Sequence, residues 1–381
     1  MIYDLPTTAP PRSFLRRHGW WIGLILVFDI LLVAWWLNRK KDAQPDDPTA
    51  TLVEAADPTP PPPARDPGLV YINPTPQDRL DETDNPDVYM PTASGRVESA
   101  LYGSVRTRKS GNLYLPAFHE GIDIGPMERD RRGHALDPIF AVADSKVAYL
   151  SRVAGNSNYG IYIVLTHQDP VGEIYTLYSH LSAIEPTLRV GTPITRGTRI
   201  GTMGHTSSSP IPVQRAHLHF EIGVINNQRF DAWYRAQKLI PDHGNYHGHN
   251  LTGIDPLAML LHRDNQGRWS MLDYLLSAPA AFHLAVHLNR VPDYFRRYPA
   301  LWLIDEFQAG VVVWEVSEGG VPLRARLAVP EEAEGVRPGR PRVLHVDEDT
   351  IGRNGLRLVV RRQGQWQTGQ ALNRWLEIFL H

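Results

Sequence analysis

The longest apolar run in the chain lies near the N-terminus. Residues 19–37 contain one charged residue, Asp29, and have a pair of tryptophans near each end. As a helix this run would be about 28 Å long, close to the hydrocarbon thickness of a bilayer at about 30 Å. A buried soluble helix and a cleaved signal peptide are the alternatives, but no small-x-small cleavage site follows. We therefore predict a transmembrane helix over residues 19–37.

Charges near this helix leave two questions open. Asp29 is costly in a membrane, so either it contacts another membrane helix or its apolar neighbours outweigh it. The cationic residues are balanced on the two sides, which makes the positive-inside rule a tie. They are Arg12, Arg16 and Arg17 before the helix, and Arg39, Lys40 and Lys41 after it.

Residues 38–88 have the composition of a linker. Eight prolines lie between Pro45 and Pro67, among aspartate, alanine and threonine. Such a stretch favours an extended polyproline conformation and acts as a semi-rigid spacer. We predict that it separates the membrane helix from a folded domain at residues 89–256.

Alternating apolar and polar positions dominate that domain. The runs 139–153, 160–166 and 173–181 are typical of strands, and residues 91–225 show no long helical periodicity. We therefore predict a mainly β domain built on an antiparallel sheet.

Two of the predicted strands carry histidines. In residues 215–224, alternation places Leu218 and Phe220 on one face, with His217, His219 and Glu221 on the other. In residues 173–181 the same rule gives one face to Ile174, Thr176, Tyr178 and His180. Upstream, His119 and Asp123 flank Gly121, which we expect to let the backbone turn so that both side chains reach one point.

Beyond residue 256 the pattern changes to a mixture of elements. We predict a helix from Ser277 to about Arg290, and strands near residues 311–316, 323–329 and 356–360. The closing helix is predicted at residues 370–380, with Leu372, Trp375, Leu376 and Phe379 on one side. The sequence thus indicates a C-terminal accessory α+β region at residues 257–381.

Composition excludes several classes of function. The formal net charge of −2 provides no field to attract nucleic acid. The absence of cysteine removes disulfides, thiolate metal sites and thiol nucleophiles. What remains is nitrogen and oxygen chemistry. His119, Asp123, His180, His217 and His219 make a set suited to a divalent metal, and a catalytic zinc keeps three protein ligands with one open position.

Three further histidines, His243, His247 and His249, lie in a Gly/Asn-rich loop. A second metal site and a polar surface loop are both compatible with this spacing, and the polar loop is the favoured interpretation. Glu221 and Glu120 are candidates for orienting an imidazole. For Glu120 a surface carboxylate is the alternative.

The combination of motifs resembles the M23 metallopeptidases, the lysostaphin or LytM type of peptidoglycan endopeptidase. The matching stretches, all within residues 91–225, are Pro91-Thr-Ala-Ser-Gly-Arg-Val, His119-Glu-Gly-Ile-Asp-Ile, Ala141-Val-Ala-Asp, Tyr178-Ser-His-Leu, Gly197-Thr-Arg-Ile-Gly and His217-Leu-His-Phe-Glu. The resemblance implies that His119, Asp123 and His219 bind Zn²⁺ and that His180 and His217 are catalytic histidines outside the ligand set. Departures from the family pattern occur at residues 128–137, at residues 207–216 and at Ser145, and these affect groove shape rather than the metal residues.

The resemblance implies a membrane-anchored zinc endopeptidase that hydrolyses peptide cross-links of bacterial peptidoglycan. Because that substrate lies outside the cytoplasmic membrane, residues 1–18 are expected in the cytoplasm and the catalytic domain on the periplasmic side. The alternative is a non-hydrolytic regulator of the LytM type, which activates a cell-wall amidase or organises an envelope complex with a membrane or envelope protein. The complete ligand set favours the enzyme.

Overall fold

The computed structural model describes residues 68–240 and 243–381. The predicted cytoplasmic segment 1–18, the transmembrane helix 19–37 and the linker up to residue 67 lie outside the described residues. Within the two described ranges, no helix combines the length and the apolar character needed to cross a membrane.

Most of the regular structure consists of short strands. Their bounds are β1 (Leu69–Val70), β2 (Gly103–Ser110), β3 (Leu113–His119), β4 (Ile122–Ile124), β5 (Pro138–Phe140), β6 (Ser145–Ser151), β7 (Ile161–Asp169), β8 (Gly172–Leu181), β9 (Ala183–Ile184), β10 (Pro193–Ile194), β11 (Arg199–Thr202), β12 (Leu218–Ile225), β13 (Leu251–Ile254), β14 (Arg268–Trp269), β15 (Phe282–Leu288), β16 (Gly310–Val316), β17 (Pro322–Leu327), β18 (Arg342–Val346), β19 (Val359–Arg362) and β20 (Gln365–Thr368).

The described helices are few and mostly one or two turns long. They are α1 (Phe230–Ala236), α2 (Pro256–Leu260), α3 (Met271–Ser277), α4 (Asp293–Arg297), α5 (Pro330–Ala333), α6 (Glu348–Ile351) and α7 (Gln370–Leu380), with 3₁₀ turns at Val97–Ala100, Val213–Arg215, Gly244–Tyr246 and Pro299–Leu301.

A seven-stranded sheet forms the centre of the molecule. Its order is β10-β6-β7-β8-β12-β13, and β4 pairs with β12 beside this path. All of these pairings are antiparallel. The prediction of a mainly β domain with an antiparallel sheet is therefore confirmed.

One face of β12 lies in the core, as its alternation predicted. Leu218, Phe220, Ile222 and Val224 are fully buried in the main hydrophobic cluster. The opposite face is also covered, because all eight residues of β12 are buried. A second cluster, which contains Tyr162, Tyr175, Leu177, Ile225 and Leu251, packs on that side against Tyr149, Tyr159 and Tyr246. The connection between β12 and β13 thus contributes to closing much of the face that carries His219 and Glu221.

The C-terminal region contains a second antiparallel sheet of order β17-β16-β15-β18. The predicted helix from Ser277 to Arg290 is wrong, because α3 ends at Ser277 and residues 282–288 form strand β15. Phe282, Leu284, Val286 and Leu288 alternate into the core, and this period of two outweighs the helix start indicated by Ser277-Ala-Pro279. The predicted closing helix is α7, and its Trp375 packs against Trp314 of β16 with ring centroids 5.7 Å apart.

The packed region begins earlier than the sequence analysis placed it. Tyr71, Leu80 and Val88 fall in the predicted linker, yet each is at most 2% exposed in the core. The predicted linker therefore extends too far toward the C-terminus. The prediction rested on the prolines between Pro45 and Pro67 and did not take into account the apolar side chains of residues 71–88.

One hydrophobic cluster joins the central sheet to the C-terminal region. It includes Phe220 and Ile222 of β12 together with Leu284, Trp314 and Phe379. The Tyr298 hydroxyl links the same parts, since it accepts from the Ile225 N–H at 3.0 Å and donates to the Glu173 carbonyl at 2.7 Å. The region after residue 256 therefore completes the core of the sheet that carries the predicted site.

Candidate metal centre

Strand pairing brings the three predicted metal ligands together. His119 ends β3, Asp123 lies in β4 and His219 lies in β12. Because β4 pairs with β12 in the register His219 opposite Asp123, the two side chains are neighbours. A Cβ on Gly121 would lie 2.3 Å from the Phe220 carbonyl oxygen, so glycine is needed for close approach to β12 rather than for the turn that we expected.

The ligand atoms form a compact triangle. His119 Nε2 lies 3.2 Å from Asp123 Oδ1 and 3.0 Å from His219 Nδ1, and His219 Nδ1 lies 3.0 Å from Asp123 Oδ1. In a tetrahedral zinc site with bonds of 2.0–2.1 Å, ligand atoms are about 3.3 Å apart. The triangle therefore fits zinc, and it is the one group of this kind within residues 68–240 and 243–381.

Hydrogen bonds on the far side of each ring fix which nitrogen faces the triangle. His119 Nδ1 donates to the Leu101 carbonyl at 2.7 Å, and His219 Nε2 donates to Glu221 Oε1 at 2.9 Å. Each ring thus presents a nitrogen without a proton to the metal position when it is neutral. The predicted contact between Glu221 and an imidazole is present, whereas no hydrogen bond to a histidine is described for Glu120.

The two remaining predicted histidines face each other beside the triangle. The rings of His180 and His217 have centroids 4.7 Å apart, and His217 Nε2 lies 3.6 Å from Asp123 Oδ1. Their Nδ1 atoms donate to backbone carbonyls, that of Thr206 at 2.8 Å for His180 and that of Arg215 at 2.7 Å for His217. Both Nε2 atoms are therefore the nitrogens left for proton exchange.

His180 reaches this position through a break in strand alternation. Ile174 and Tyr178 point into the core, so a regular strand would bury His180 with them, as the predicted face implied. Instead, His180 has a φ of 60°, and the pairing of β7 with β8 shifts between Ile161 and Ile163. This bulge turns the imidazole toward His217 and corrects the face assigned from the sequence.

Burial determines the charge of most of these rings. It lowers the pKa of His119 to about 4 and also lowers the pKa of His180 and His217, so all three are neutral at pH 7. For His219, burial alone would lower the pKa, but hydrogen bonds with Asp123 and Glu221 outweigh it and raise the pKa to about 9. Burial works against the charge of Asp123 as well, yet His119 and Arg106 hold its pKa well below the usual range.

Several residues that support the centre were not predicted from the sequence. The Arg106 guanidinium contacts Asp123 Oδ2, while its Nε donates to the Ser99 carbonyl at 2.9 Å. The hydroxyls of Tyr159 and Tyr175 donate to the two oxygens of Glu221 at 3.0 and 2.8 Å. The alternation of residues 173–181 held a signal for Tyr175, because odd positions there share the face of His219, but no local pattern marked Arg106.

The loop with His243, His247 and His249 does not assemble a second group of this type in the described residues. His243 Nδ1 instead bonds the Tyr149 hydroxyl at 2.8 Å, and His247 stacks on Tyr234 with ring centroids 4.8 Å apart. The loop is thus part of the aromatic cover over the sheet.

Comparison with known proteins agrees with the motifs. Residues 117–232 match the model of peptidase family M23. Similar solved structures include a zinc containing peptidase from Vibrio cholerae (24% identity, 35% of each chain, TM-score 0.24), Helicobacter pylori Csd3 (18% identity, 41% of this chain and 30% of that one, TM-score 0.25) and the catalytic domain of lysostaphin from Staphylococcus simulans (27% identity, 32% of this chain and 77% of that one, TM-score 0.24). The chain thus spans about a third of the length of the first two. No curated protein matches the sequence significantly.

Proposed function

We propose, from the premise that residues 117–232 form a domain of peptidase family M23, that the protein is a zinc endopeptidase that hydrolyses peptide cross-links of bacterial peptidoglycan. The observation that carries the proposal is the triangle of His119, Asp123 and His219, with the neutral imidazoles of His180 and His217 beside it. A regulator without hydrolytic activity would have no need of this complete set.

The protein's own groups divide into holding and proton-transferring roles. His119, Asp123 and His219 would hold zinc, which when bound supplies Lewis acidity for amide hydrolysis. Since Nδ1 of His180 and of His217 is committed to a carbonyl, each ring exchanges a proton only at Nε2. One of the two accepts a proton from the attacking water, and the pair then stabilises the developing oxyanion and returns a proton to the leaving amine.

The proposal includes a location. A helix at residues 19–37 would anchor the protein in the cytoplasmic membrane, with residues 1–18 inside and the catalytic domain in the periplasm. The Pro-rich linker would let the domain reach the cell wall, and Asp29 would contact a membrane partner. The proposal is supported by the apolar run, the tryptophans at its ends and the position of the substrate outside the membrane.

Digestion of purified peptidoglycan by the full-length chain tests the function. We expect release of cross-linked peptides that stops on addition of a chelator and returns with zinc, with the cut bond identified by mass spectrometry. Bound zinc without release of peptides would contradict the proposal and favour the regulator.

Two single variants test the division of roles. His180→Ala and His217→Ala should each reduce cleavage about 10²–10⁴-fold, as expected for loss of a general acid or base. Both should retain zinc in stoichiometric amount, measured by elemental analysis, because neither belongs to the ligand triangle. Loss of metal in either variant would show that ligands and proton-transferring groups have been confused.

A further inference from the structure

A cleft of about 430 Å³ opens between strand β13 and helix α7. Its wall is largely apolar and is formed by Phe118, Leu251, Leu356, Leu358, Trp375 and Ile378. Pockets for small ligands have volumes of roughly 300–1,000 Å³ and similar apolar linings. The cleft is therefore large enough for a short peptide segment.

The cleft lies on the face of the sheet that carries the metal centre. Gly253 of β13 is paired with Gly223 of β12, two residues along from Glu221. A Cβ on Gly253 would lie 2.1 Å from the Glu120 carbonyl oxygen, and Glu120 directly follows His119. Gly248, another lining residue, approaches the hydroxyl of Tyr159, which donates to Glu221. The cleft thus begins next to the group that orients His219.

Two opposite charges open onto this cleft. Glu120 and Arg374 both line it and are both exposed. Within the part of the chain that the structure describes, neither side chain forms an ion pair or a hydrogen bond to another side chain. His249, which also lines the cleft, is held neutral because burial and the nearby Arg374 lower its pKa. A carboxylate and a guanidinium are thus both available to a ligand.

We propose that this cleft binds a peptide end that carries one free ammonium group and one free carboxylate. The ammonium of the ligand would pair with Glu120, and its carboxylate would form two hydrogen bonds with the guanidinium of Arg374. The aliphatic part of the ligand's side chain would pack on the apolar wall. A purely apolar ligand would desolvate both charges without pairing them, and a polyanion would be repelled by Glu120.

The link to cleavage rests on the proposed function, because stem peptides of peptidoglycan that are not cross-linked combine a diamino acid with a terminal carboxylate. The cleft would then hold a stem peptide beside Glu221, on the side of the His219 ring opposite the nitrogen that faces the metal position. Binding itself does not depend on hydrolysis and can be measured separately.

Calorimetric titration of the zinc-loaded full-length chain tests the inference with the probe Nα-acetyl-L-Lys-D-Ala, which has one ammonium and one carboxylate and no cross-link. Two analogues remove one charge each, by acetylation of the lysine side chain or amidation of the C-terminus. We expect each analogue to bind about tenfold or more weakly than the probe, as for loss of one charge-assisted hydrogen bond.

Variants then assign each charge to its partner. Glu120→Gln should lower the affinity for the probe about tenfold and leave the affinity for the side-chain-acetylated analogue unchanged. Arg374→Gln should lower the affinity for the probe about tenfold and leave the affinity for the amidated analogue unchanged. Glu334→Gln and Arg362→Gln change exposed residues outside the cleft and serve as matched controls with no expected effect. Zinc content is measured in all four variants, so that any loss of metal in Glu120→Gln is seen directly.

The inference is overturned if the probe does not bind, if all three ligands bind equally, or if the cleft variants match their controls. Peptidoglycan digestion without probe binding would retain the proposed function and reject the cleft. Charge-matched binding without digestion would retain the cleft and reject the enzyme.

Discussion

Asp123 is held by groups from three elements, and this arrangement orients its carboxylate. Oδ1 faces His119 and His219 at 3.2 and 3.0 Å, while Oδ2 contacts the Arg106 guanidinium. Because Arg106 Nε is also fixed to the Ser99 carbonyl, the guanidinium cannot turn away without breaking a second bond. We infer that Arg106 positions Asp123 as a ligand through one oxygen.

Replacement of Arg106 tests whether its positioning of Asp123 or its repulsion of the metal has the larger effect on zinc affinity. Arg106→Met removes the positioning contact but also relieves repulsion between the guanidinium and the metal, so we expect zinc affinity to fall only about tenfold. Arg106→Lys keeps the positive charge that repels the metal but loses the guanidinium that contacts both Asp123 and Ser99. It should bind zinc no more tightly than Arg106→Met. Competition with a chelator measures both affinities, and Arg108→Met, an exposed neighbour on β2, is the control. Tighter binding by Arg106→Met than by the unmodified protein would mean that repulsion dominates.

Glu221 acts through His219. It accepts from His219 Nε2, from Tyr159 and from Tyr175, so its charge fixes the ring and makes Nδ1 more basic. Glu221→Gln should weaken zinc binding by roughly 10–100-fold, as is usual for partners of metal-bound histidines. Tyr175→Phe removes one bond to the other oxygen and should have a smaller effect in the same chelator competition. Affinity of Glu221→Gln within twofold of the parent would exclude this role.

For single residues, the sequence predicted which side chains come together at the metal centre, but it did not predict the contacts that orient each of them. His119 and Asp123, and likewise His217 and His219, are close in the chain, so short-range spacing identifies them. His180 depends on a bulge, and strict alternation assigned it to the buried face. Arg106 depends on the register of the β2–β3 hairpin, in which it pairs with Ala117, and such long-range register has no local signature.

At the scale of elements, the central sheet is held by polar as well as apolar contacts. His167 of β7 is buried and bridges the Asp144 carbonyl at 3.0 Å and the Thr176 hydroxyl at 2.8 Å. Burial lowers its pKa to about 4, so the ring is neutral in the folded sheet.

The stability of the sheet should therefore depend on pH through His167. Between pH 6.5 and pH 4 the unfolded chain binds a proton at this residue and the folded chain does not, so stability is complete above pH 6.5 and falls as the pH drops. The difference of about 2.5 pKa units corresponds to about 3 kcal/mol by pH 4. The unfolding free energy of the unmodified protein should therefore fall more between pH 7 and pH 4 than that of His167→Gln. The difference should be about 3 kcal/mol, measured by urea unfolding. A pH dependence of the unfolding free energy that is the same in His167→Gln as in the unmodified protein would contradict the argument.

Prediction of elements succeeded where one period dominated. The residues of β12 and of α7 showed a clear strand or helix period, and both elements form where expected. Residues 277–290 carried two competing signals, since a Ser-Ala-Pro start favours a helix while Phe282 to Leu288 alternate. The strand prevails because β15 pairs with both β16 and β18, and those partners lie far along the chain.

At the scale of the whole molecule, the boundary that composition placed at residue 257 does not separate two cores. The main cluster runs from the central sheet into β15, β16 and α7. Polar bonds cross as well, from Tyr298 to β8 and β12, and from the Asn227 amide to the Ile378 carbonyl at 2.6 Å. Composition cannot reveal this joint core, because the side chains that form it are apolar on both sides of the boundary.

Removal of residues 257–381 should consequently unfold the metal-binding sheet rather than release an active domain. The deletion exposes the core side of Phe220, Ile222 and Val224, at roughly 1.5–3 kcal/mol each. It also leaves the buried Ile225 N–H without its Tyr298 acceptor, so the total cost is comparable with the roughly 5–15 kcal/mol that stabilises a typical protein. Thermal unfolding followed by circular dichroism should show a cooperative transition for residues 68–381 and none for residues 68–256. A cooperative transition and stoichiometric zinc in the shorter fragment would refute the joint core and make residues 257–381 a separable accessory. If the prediction holds, control of the activity by this region has to be studied with point variants in the β13–α7 cleft, since truncation would remove the metal centre along with it.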